Sequence, residues 1–303
     1  MAPLWLAARP ACIVAPVNRS LSQPRADETA TLRVRTLFLS DLHLGSRAAQ
    51  AGRLCAFLDA CEAETIYLVG DVVDEWRLRR RWHWPDEHHG VTERLLARAL
   101  SGRRVVYLPG NHDSFLRALP LPHRLGSVEV RNEAVHETAD GRRLLVLHGD
   151  AFDWIVTRAP MLAHVGDRLY DLALYLGRAA RRRRGDRPPR FSLAAAAAQV
   201  VRRLAGQHEG FPAALARAAR EKGCDGVVCG HLHVAGIQDE DGVDYINCGD
   251  WIENATAVVE RHDGRLELLR WTGAGLEHVA EAGAHRRISA PVERGEALAP
   301  AGA

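Results

Sequence analysis

Residues 36–45 have the sequence TLFLSDLHLG, in which an apolar run leads directly into an aspartate and a histidine. The run over 34–40 is typical of a buried strand, and it ends where Asp41 begins. Asp41 and His43 lie two residues apart on an extended segment, so their side chains can point the same way. This stretch therefore predicts a strand that presents two metal-binding side chains at its carboxyl end.

Four further apolar runs end in the same manner, and we predict strands over 65–69, 104–108, 144–147 and 227–229. The blocks that follow these runs are Gly70-Asp71, Gly110-Asn111-His112-Asp113, His148-Gly149-Asp150 and Gly230-His231-Leu232-His233. Helical spacing over 49–61 and 91–100 predicts helices between the strands, and 245–247, 255–260 and 265–271 predict further, antiparallel strands. Ligands bind outside the carboxyl ends of the strands in α/β sheets, so we expect these blocks to converge at one edge of an α/β fold.

The residue types in these blocks favour a pair of divalent metal ions. Two ions about 3.5–4 Å apart need a bridging anion, and a carboxylate serves both. Asp71, alone at the end of its strand, is the candidate bridge, while Asn111 offers a neutral amide oxygen. His231 and His233 repeat the two-residue spacing of Asp41 and His43. A nitrogen and oxygen set without thiolates favours manganese, with iron and zinc also compatible, over calcium.

From about 34 to 260 the chain resembles the calcineurin-like metallophosphoesterase superfamily, whose motifs are D-x-H, G-D-x-x-D, G-N-H-D/E, H and G-H-x-H. The resemblance implies a β-sandwich flanked by helices. It implies that one metal is held by Asp41, His43, Asp71 and His233, and the other by Asp71, Asn111, His148 and His231. It further implies that a metal-bridging hydroxide attacks phosphorus, and that His112, positioned by Asp113, stabilises charge or protonates the leaving oxygen.

Within the superfamily the chain is most similar to the UDP-2,3-diacylglucosamine pyrophosphatases of lipid A synthesis. The stretches that carry this similarity include DLHLG at 41–45, GDVVDEW at 70–76, YLPGNHD at 107–113 and NCGDW at 247–251. The similarity implies a hydrolase of a lipid or nucleotide-sugar diphosphate. The cysteine pattern suits the cytoplasm, and the basic patch over 178–190 beside apolar helices would suit peripheral contact with the inner face of the membrane. His112 and Val234 stand where those enzymes tend to have arginine, which leaves the organic half of the substrate open.

Three other classes of function are compatible with the same fold. A nuclease or cyclic-nucleotide phosphodiesterase would keep the same metal set. A protein Ser/Thr phosphatase would be expected to have Arg-Gly where Glu75-Trp76 stand. A non-catalytic binding module with this fold would be expected to have lost metal-binding residues, and all the motif positions are filled here. Asp74 and Asp150 follow the metal blocks and are candidates either for orienting histidines or for ordinary turns.

Substrate contacts are predicted at two clusters. Trp76 and Arg80 belong to an aromatic and basic stretch that follows Asp71, which could stack on a sugar or base or fold as a packed loop. Arg181 and Arg182 belong to the arginine run 181–184, which could contact phosphates or anionic lipid, with a solvated helix end as the alternative.

Charge and cysteine content limit the functional class, and the sequence pattern predicts the domain bounds. The 303 residues carry a formal charge of only +2, so no dedicated nucleic-acid binding is expected. The six cysteines form no C-x-x-C pair, which favours buried reduced thiols. We predict a disordered leader over 1–32 and a phosphoesterase domain over 33–275. A helical cap is expected as an insertion at about 151–223, and a loose tail over 276–303.

Overall fold

The computed structural model describes residues 31–120, 122–153, 210–273 and 275–282, and the account below concerns those residues. Their strands are β1 (Leu32–Leu39), β2 (Cys61–Val69), β3 (Arg104–Leu108), β4 (His123–Leu125), β5 (Val128–Val130), β6 (Glu133–Glu137), β7 (Arg143–Leu147), β8 (Gly226–Cys229), β9 (Gly236–Glu240), β10 (Val243–Asn247), β11 (Thr256–Glu260), β12 (Leu266–Trp271) and β13 (Leu276–Glu281). Their α-helices are α1 (Ala51–Asp59), α2 (Glu75–Arg80), α3 (Asp86–Leu100) and α4 (Gly210–Glu221).

The strands form two sheets. The first has the order β13-β12-β11-β1-β2-β3-β5-β4, and the second has the order β6-β7-β8-β10-β9. In the first sheet β1, β2, β3 and β5 run parallel, and in the second β7, β8 and β10 do. Parallel neighbours bring their carboxyl ends to a common edge, which is what the blocks after β1, β2, β3, β7 and β8 require.

Apolar residues on both faces of each sheet build four layers. Helices α1 and α3 pack on the outer face of the first sheet, where Leu54 and Val91 are fully buried. Phe38 from the first sheet and Val146 from the second belong to one cluster between the sheets. Helix α4 covers the outer face of the second sheet through Leu215 and its neighbours. The predicted α/β sandwich flanked by helices is confirmed.

Two of the predicted strand and cap assignments need correction. The strand at 245–247 was expected to pair antiparallel with the strands that follow it, but β10 lies in the second sheet and runs parallel to β8. The predicted cap reached residue 223, but α4 buries Phe211 and Leu215 against the second sheet and so belongs to the sandwich. The rest of the predicted cap, 154–209, lies outside the described residues.

The predicted loose tail also begins too early. Residues Leu276–Glu281 form β13, which pairs antiparallel with β12 at the edge of the first sheet. The side chains of this strand are mostly exposed, so its backbone hydrogen bonds to β12 stabilise it. Because few of its residues are buried, its sequence lacks the apolar periodicity that would predict a strand. The domain starts at Leu32, one residue before the predicted boundary, and the predicted leader up to residue 30 lies outside the described residues.

A buried polar network joins the two sheets away from the strand ends that carry the metal-type blocks. Glu260 on β11 accepts hydrogen bonds from Thr36 Oγ1 at 2.6 Å and from the backbone of Ala139 at 2.7 Å. His136 Nε2 on β6 lies 2.8 Å from Glu260 Oε2, and Arg35 Nη1 lies 2.6 Å from Oε1.

Over the part of the chain described, no helix is long and apolar enough to span a bilayer.

Candidate metal centre

The blocks that follow β1, β2, β3, β7 and β8 meet at one edge of the sandwich, as predicted. The loop after β1 continues the pairing with the loop after β2, because the Asp41 and His43 amides donate to the carbonyls of Gly70 and Asp71 at 3.0 and 2.9 Å. The Gly230 amide donates to the His148 carbonyl at 3.1 Å, which joins the block after β8 to the block after β7. Backbone hydrogen bonds thus hold these loops together in pairs, independently of their side chains.

Five of the predicted metal-binding residues have left-handed backbone conformations. The φ angles of this set lie between 46° and 69° at Asp41, His43, Asp71, His231 and His233. Aspartate and histidine tolerate this region better than branched residues do, but it still costs free energy. The strain turns the chain sharply at the end of each strand and directs consecutive side chains into one small volume.

Two glycines permit the blocks to approach each other. A Cβ at Gly110 would lie 2.1 Å from Asp71 Oδ1 and 2.7 Å from His148 Nε2. A Cβ at Gly230 would lie 1.8 Å from Ser40 Oγ and 2.4 Å from Asp41 Oδ2. Any side chain at either position would therefore occupy the space in which the carboxylates and imidazoles meet.

Asp41, His43 and His233 form the first group of candidate ligands. His233 Nε2 lies 3.1 Å and His43 Nε2 lies 3.7 Å from Asp41 Oδ1. All three residues offer ligand atoms within 4.8 Å of one another. Ser40 Oγ donates to Asp41 Oδ2 at 2.5 Å, which leaves Oδ1 directed at the histidines.

Asp71 and His148 form the second group, together with Asp41. His148 Nδ1 lies 2.9 Å from the Val69 carbonyl, so Nδ1 carries a proton, and Nε2, 3.4 Å from Asp71 Oδ2, is the nitrogen at which a bound cation would replace a proton. A ligand histidine is oriented in this way when its second nitrogen donates to a carbonyl. Asp71 thus lies between the two groups, where the sequence predicts a bridging carboxylate.

His231 differs from the other predicted ligands. Its ring lies 5.3 Å from the His148 ring, but its Nε2 lies 2.8 Å from Asp153 Oδ2. Asp153 was not predicted: it stands three residues after the His148-Gly149-Asp150 block, but 78 residues from His231, so no local motif connects the two. A buried carboxylate that holds a ligand histidine is a common arrangement beside metals.

The unsatisfied polar atoms of this centre fit divalent cations. Asp41 Oδ1, Asn111 Oδ1 and His148 Nε2 are buried and have no hydrogen-bond partner among the described residues. Burial alone would raise the pKa of Asp71, but His148 and His112 outweigh it and lower that pKa. Burial would lower the pKa of His148, but Asp71 raises it to about 10. Buried acceptors in a negative field are what a cation would satisfy.

Asp74 holds the histidine that was predicted to act on the leaving group. His112 Nδ1 lies 3.1 Å from Asp74 Oδ1, and His43 Nδ1 lies 3.3 Å from Asp74 Oδ2. Arg77 Nε donates to Asp74 Oδ2 at 2.6 Å, and the Arg77 amide donates to Oδ1, which caps α2. The Trp76 ring packs on the His112 ring with 4.0 Å between centroids. His112 Nε2 is thereby turned towards the cluster, 3.9 Å from Asp71 Oδ2.

The expectation that Asp113 positions His112 is wrong. Asp113 accepts hydrogen bonds from the Gly110 amide at 2.5 Å, the Val72 amide at 2.8 Å and the Tyr107 hydroxyl at 2.6 Å. Both carboxylate oxygens of Asp113 therefore bind the backbone around its own turn and the Tyr107 hydroxyl, and neither contacts the His112 ring. Burial and the charge of Asp71 raise the pKa of Asp113.

Asp150 also has a role other than orienting a histidine. Arg117 donates to both of its carboxylate oxygens at 2.7 Å and also to the Pro109 carbonyl. This ion pair joins the turn after β3 to the turn after β7. Neither Arg117 nor its partner could be paired from the sequence, since 33 residues separate them.

The predicted substrate contacts are only partly described. Trp76 and Arg80 lie one helical turn apart on α2; the Trp76 ring packs on His112, and Arg80 is exposed. Their contact with substrate stays a prediction. Arg181 and Arg182 lie outside the described residues.

Comparison with known proteins gives relatives of two kinds. The chain is 27% identical over 243 residues to the UDP-2,3-diacylglucosamine hydrolase of Aeromonas salmonicida (strain A449), an alignment that covers 74% of this chain and 89% of that protein. Among solved structures it is similar to Vps29 from Entamoeba histolytica, with 12% identity, a TM-score of 0.41 and coverage of 82% and 99% of the two chains. It is also similar to the phosphoesterase Yfce from E. coli, with 15% identity, a TM-score of 0.40 and coverage of 81% and 98%.

The family model for calcineurin-like phosphoesterases matches residues 34–235. The match starts in β1 and ends just after His233, so it spans every block of the centre described above. The protein belongs to the calcineurin-like phosphoesterase family and is a metal-dependent phosphoester hydrolase.

Proposed function

We propose that this protein hydrolyses the diphosphate of a lipid-linked or nucleotide-linked sugar, with UDP-2,3-diacylglucosamine as the first candidate. The observation that carries the proposal is the buried cluster around Asp71, in which carboxylates and imidazoles meet at the ends of neighbouring strands. The substrate class is supported by the named relative, whose alignment covers 89% of its length, and by the motif stretches at 70–76 and 247–251.

Two divalent ions, which we propose to be manganese, are held in this scheme by the seven residues Asp41, His43, Asp71, Asn111, His148, His231 and His233. Such ions supply Lewis acidity and lower the pKa of coordinated water. The chain's own contribution is positional. Asp71 lies between both groups of ligands, and the turns fix the ligands before substrate arrives.

His112 is the proton donor or electrostatic partner in this scheme. Asp74 occupies its Nδ1, which leaves Nε2 as the nitrogen directed into the cluster. A group placed there can stabilise charge on a phosphoryl oxygen or protonate the departing oxygen. Trp76, packed on the ring, keeps it in this orientation.

The test is hydrolysis by the purified full chain with manganese, after chelation, and by Asp71→Asn. The panel holds UDP-2,3-diacylglucosamine, UDP-sugars, bis-p-nitrophenyl phosphate and p-nitrophenyl phosphate. We expect manganese-dependent release of UMP from the acylated substrate, lowered at least about a thousandfold in Asp71→Asn. Activity on UDP-sugars that carry no acyl chains would support a nucleotide-linked diphosphate as the substrate and would reject the lipid-linked one.

A phosphodiesterase for another substrate is the second candidate. It is favoured by Val234, which is 40% exposed beside the ligand pair where the lipid A enzymes tend to have arginine. Turnover of bis-p-nitrophenyl phosphate alone would support this candidate and reject the diphosphate. We also propose a cytoplasmic location with peripheral membrane contact, to be checked by cell fractionation.

A further inference from the structure

A cavity of about 380 Å³, open to solvent on one side, lies beside the metal centre, and none of the predicted ligands lines it. Its walls come from the loop after His43 (46–50), the first turn of α1 (51–53) and the segment 83–88. The Ser46 amide donates to the His43 carbonyl at 2.9 Å, so one wall is continuous with the ligand block after β1. The size is that of a small-ligand site rather than a packing defect.

The first turn of α1 lines this cavity and contains unsatisfied backbone donors. The Gln50 side chain does not cap the helix, because its Nε2 donates to the Ile252 carbonyl at 2.7 Å, and the first turn contains no acidic residue. Among the described residues, no acceptor is hydrogen-bonded to the amides of Ala51, Gly52 or Arg53. Such amides, aligned with the helix dipole, bind anions.

A buried histidine supplies an independent donor. His88 is 3% exposed and lines the cavity. Its Nδ1 accepts a hydrogen bond from the Gly45 amide at 2.9 Å, so the proton of the neutral ring must be on Nε2. Burial, and then His83, lower the pKa of His88, which keeps the ring neutral. Within the described chain Nε2 has no hydrogen-bond partner, so this N–H is available to a ligand.

Charge on the cavity wall is positive overall. The described residues that line it include two arginines, Arg47 and Arg53, and one carboxylate, that of Glu87. The Arg53 guanidinium is fixed by Gln50 Oε1 at 2.5 Å and by the Trp271 carbonyl, so it is held in place before any ligand binds. Donors therefore outnumber acceptors in the cavity, and its complement is an acceptor-rich group with negative charge.

We propose that this cavity binds an oxyanion of the phosphate class, held by the α1 amides, His88 Nε2–H and the two arginines. The oxyanion is either a second phosphoryl group of the substrate or free phosphate. Only the substrate form rests on the proposed function. Among the described residues of the lining, Glu87 carries the opposing charge, so it limits the affinity and makes the proposal testable in both directions.

The experiment follows the His88 ring in the ¹⁵N-histidine-labelled full chain, loaded with Mg²⁺ and titrated with inorganic phosphate at constant ionic strength. We expect an Nε2–H tautomer without phosphate and a saturable shift of that ring on titration. Arg47→Gln should weaken binding and Glu87→Gln should tighten it, each about three- to tenfold. Both side chains are exposed, so neither change threatens the fold.

Arg103→Gln is the matched control, because this exposed arginine follows the opposite end of α3, about 20 Å from the cavity by the rise of the helix. It should leave the phosphate affinity unchanged. Displacement of phosphate from His88 by UDP would assign the oxyanion to the substrate, and its retention would assign it to free phosphate. No shift at His88, or equal affinity in Arg47→Gln and Glu87→Gln, would overturn the proposal. Since no turnover is measured, this result is separate from failure of the proposed function.

Discussion

Asp74 shows how much of this centre depends on one side chain. Its two oxygens serve His112, His43 and the guanidinium and amide of Arg77. Although burial opposes ionisation, the hydrogen bonds from His112 and His43 outweigh it and lower the pKa of Asp74. The residue therefore stays ionised and couples a candidate ligand, the candidate acid and the start of α2.

Asp74→Asn should separate positioning from folding. Asparagine caps a helix as well as aspartate does, so the free energy of unfolding should change little. A neutral amide weakens the charge-assisted hydrogen bonds to the histidines, so we expect kcat to fall about a hundredfold. Asp113→Asn should do the reverse, lowering the free energy of unfolding by about 1–3 kcal/mol through a lost acceptor. Denaturant unfolding and steady-state kinetics measure the free energy of unfolding and kcat of both variants. If Asp113→Asn lowered kcat and Asp74→Asn lowered only the stability, Asp113 would be the residue that orients His112.

Gly110→Ala tests the close approach at the centre. Its Cβ would lie 2.1 Å from Asp71 Oδ1, so the loop or the carboxylate must move. We expect divalent ion binding, followed by calorimetry, to weaken at least about tenfold. Gly236→Ala is the control, since a Cβ there meets nothing within 4 Å. Unchanged ion affinity in Gly110→Ala would show that the loop relaxes without cost.

At the scale of elements, the strands that could be predicted are the apolar ones: those whose runs end in metal-type blocks, and β10, β11 and β12 near the end of the domain. β1, β2, β3, β7 and β8 have that form, because buried parallel strands need continuous apolar residues. The edge strands β4, β6, β9 and β13 are short or polar, so their pairing depends on neighbours distant in sequence. The candidate ligands could be named because each sits in a local motif, whereas Asp153 and Arg117 act through contacts that no local pattern encodes.

Helix α4 gives a direct test of its reassignment from the cap to the sandwich. Leu215 is fully buried in the cluster it shares with the second sheet. Leu215→Ala should lower the free energy of unfolding by about 2–4 kcal/mol, with KM unchanged. Leu96→Ala on α3, where the side chain is 52% exposed, should cost less than about 0.5 kcal/mol. A raised KM with unchanged stability would instead return α4 to the cap.

At the scale of the whole molecule, the network around Glu260 joins the two sheets and makes stability depend on pH. Burial alone would raise the pKa of Glu260, but His136 and Thr36 lower it from 4.5 to about 2. Because the folded pKa is lowered, the stabilisation is fully present above pH 4.5 and is lost as the pH falls towards 2.

Wild type should therefore lose up to about 3 kcal/mol more than Glu260→Gln between pH 4.5 and pH 2, because the amide does not titrate. Denaturant unfolding across this range measures the free energy of unfolding of both proteins. The other carboxylates titrate in both, so their contribution cancels in the difference. Glu62→Gln, at an exposed glutamate of β2, is the control and should follow wild type. Parallel curves for wild type and Glu260→Gln would contradict the prediction.

The left-handed turns at the ends of β1, β2 and β8 bear on any attempt to transplant this centre into a designed scaffold. Copying the seven side chains onto idealised strand ends would leave them splayed, because five of them point inward only through positive φ angles. The portable unit is the loop with its backbone, including the glycines that allow the close approach. A graft of the loops should retain metal affinity in a foreign sandwich, and a graft of the side chains alone should not.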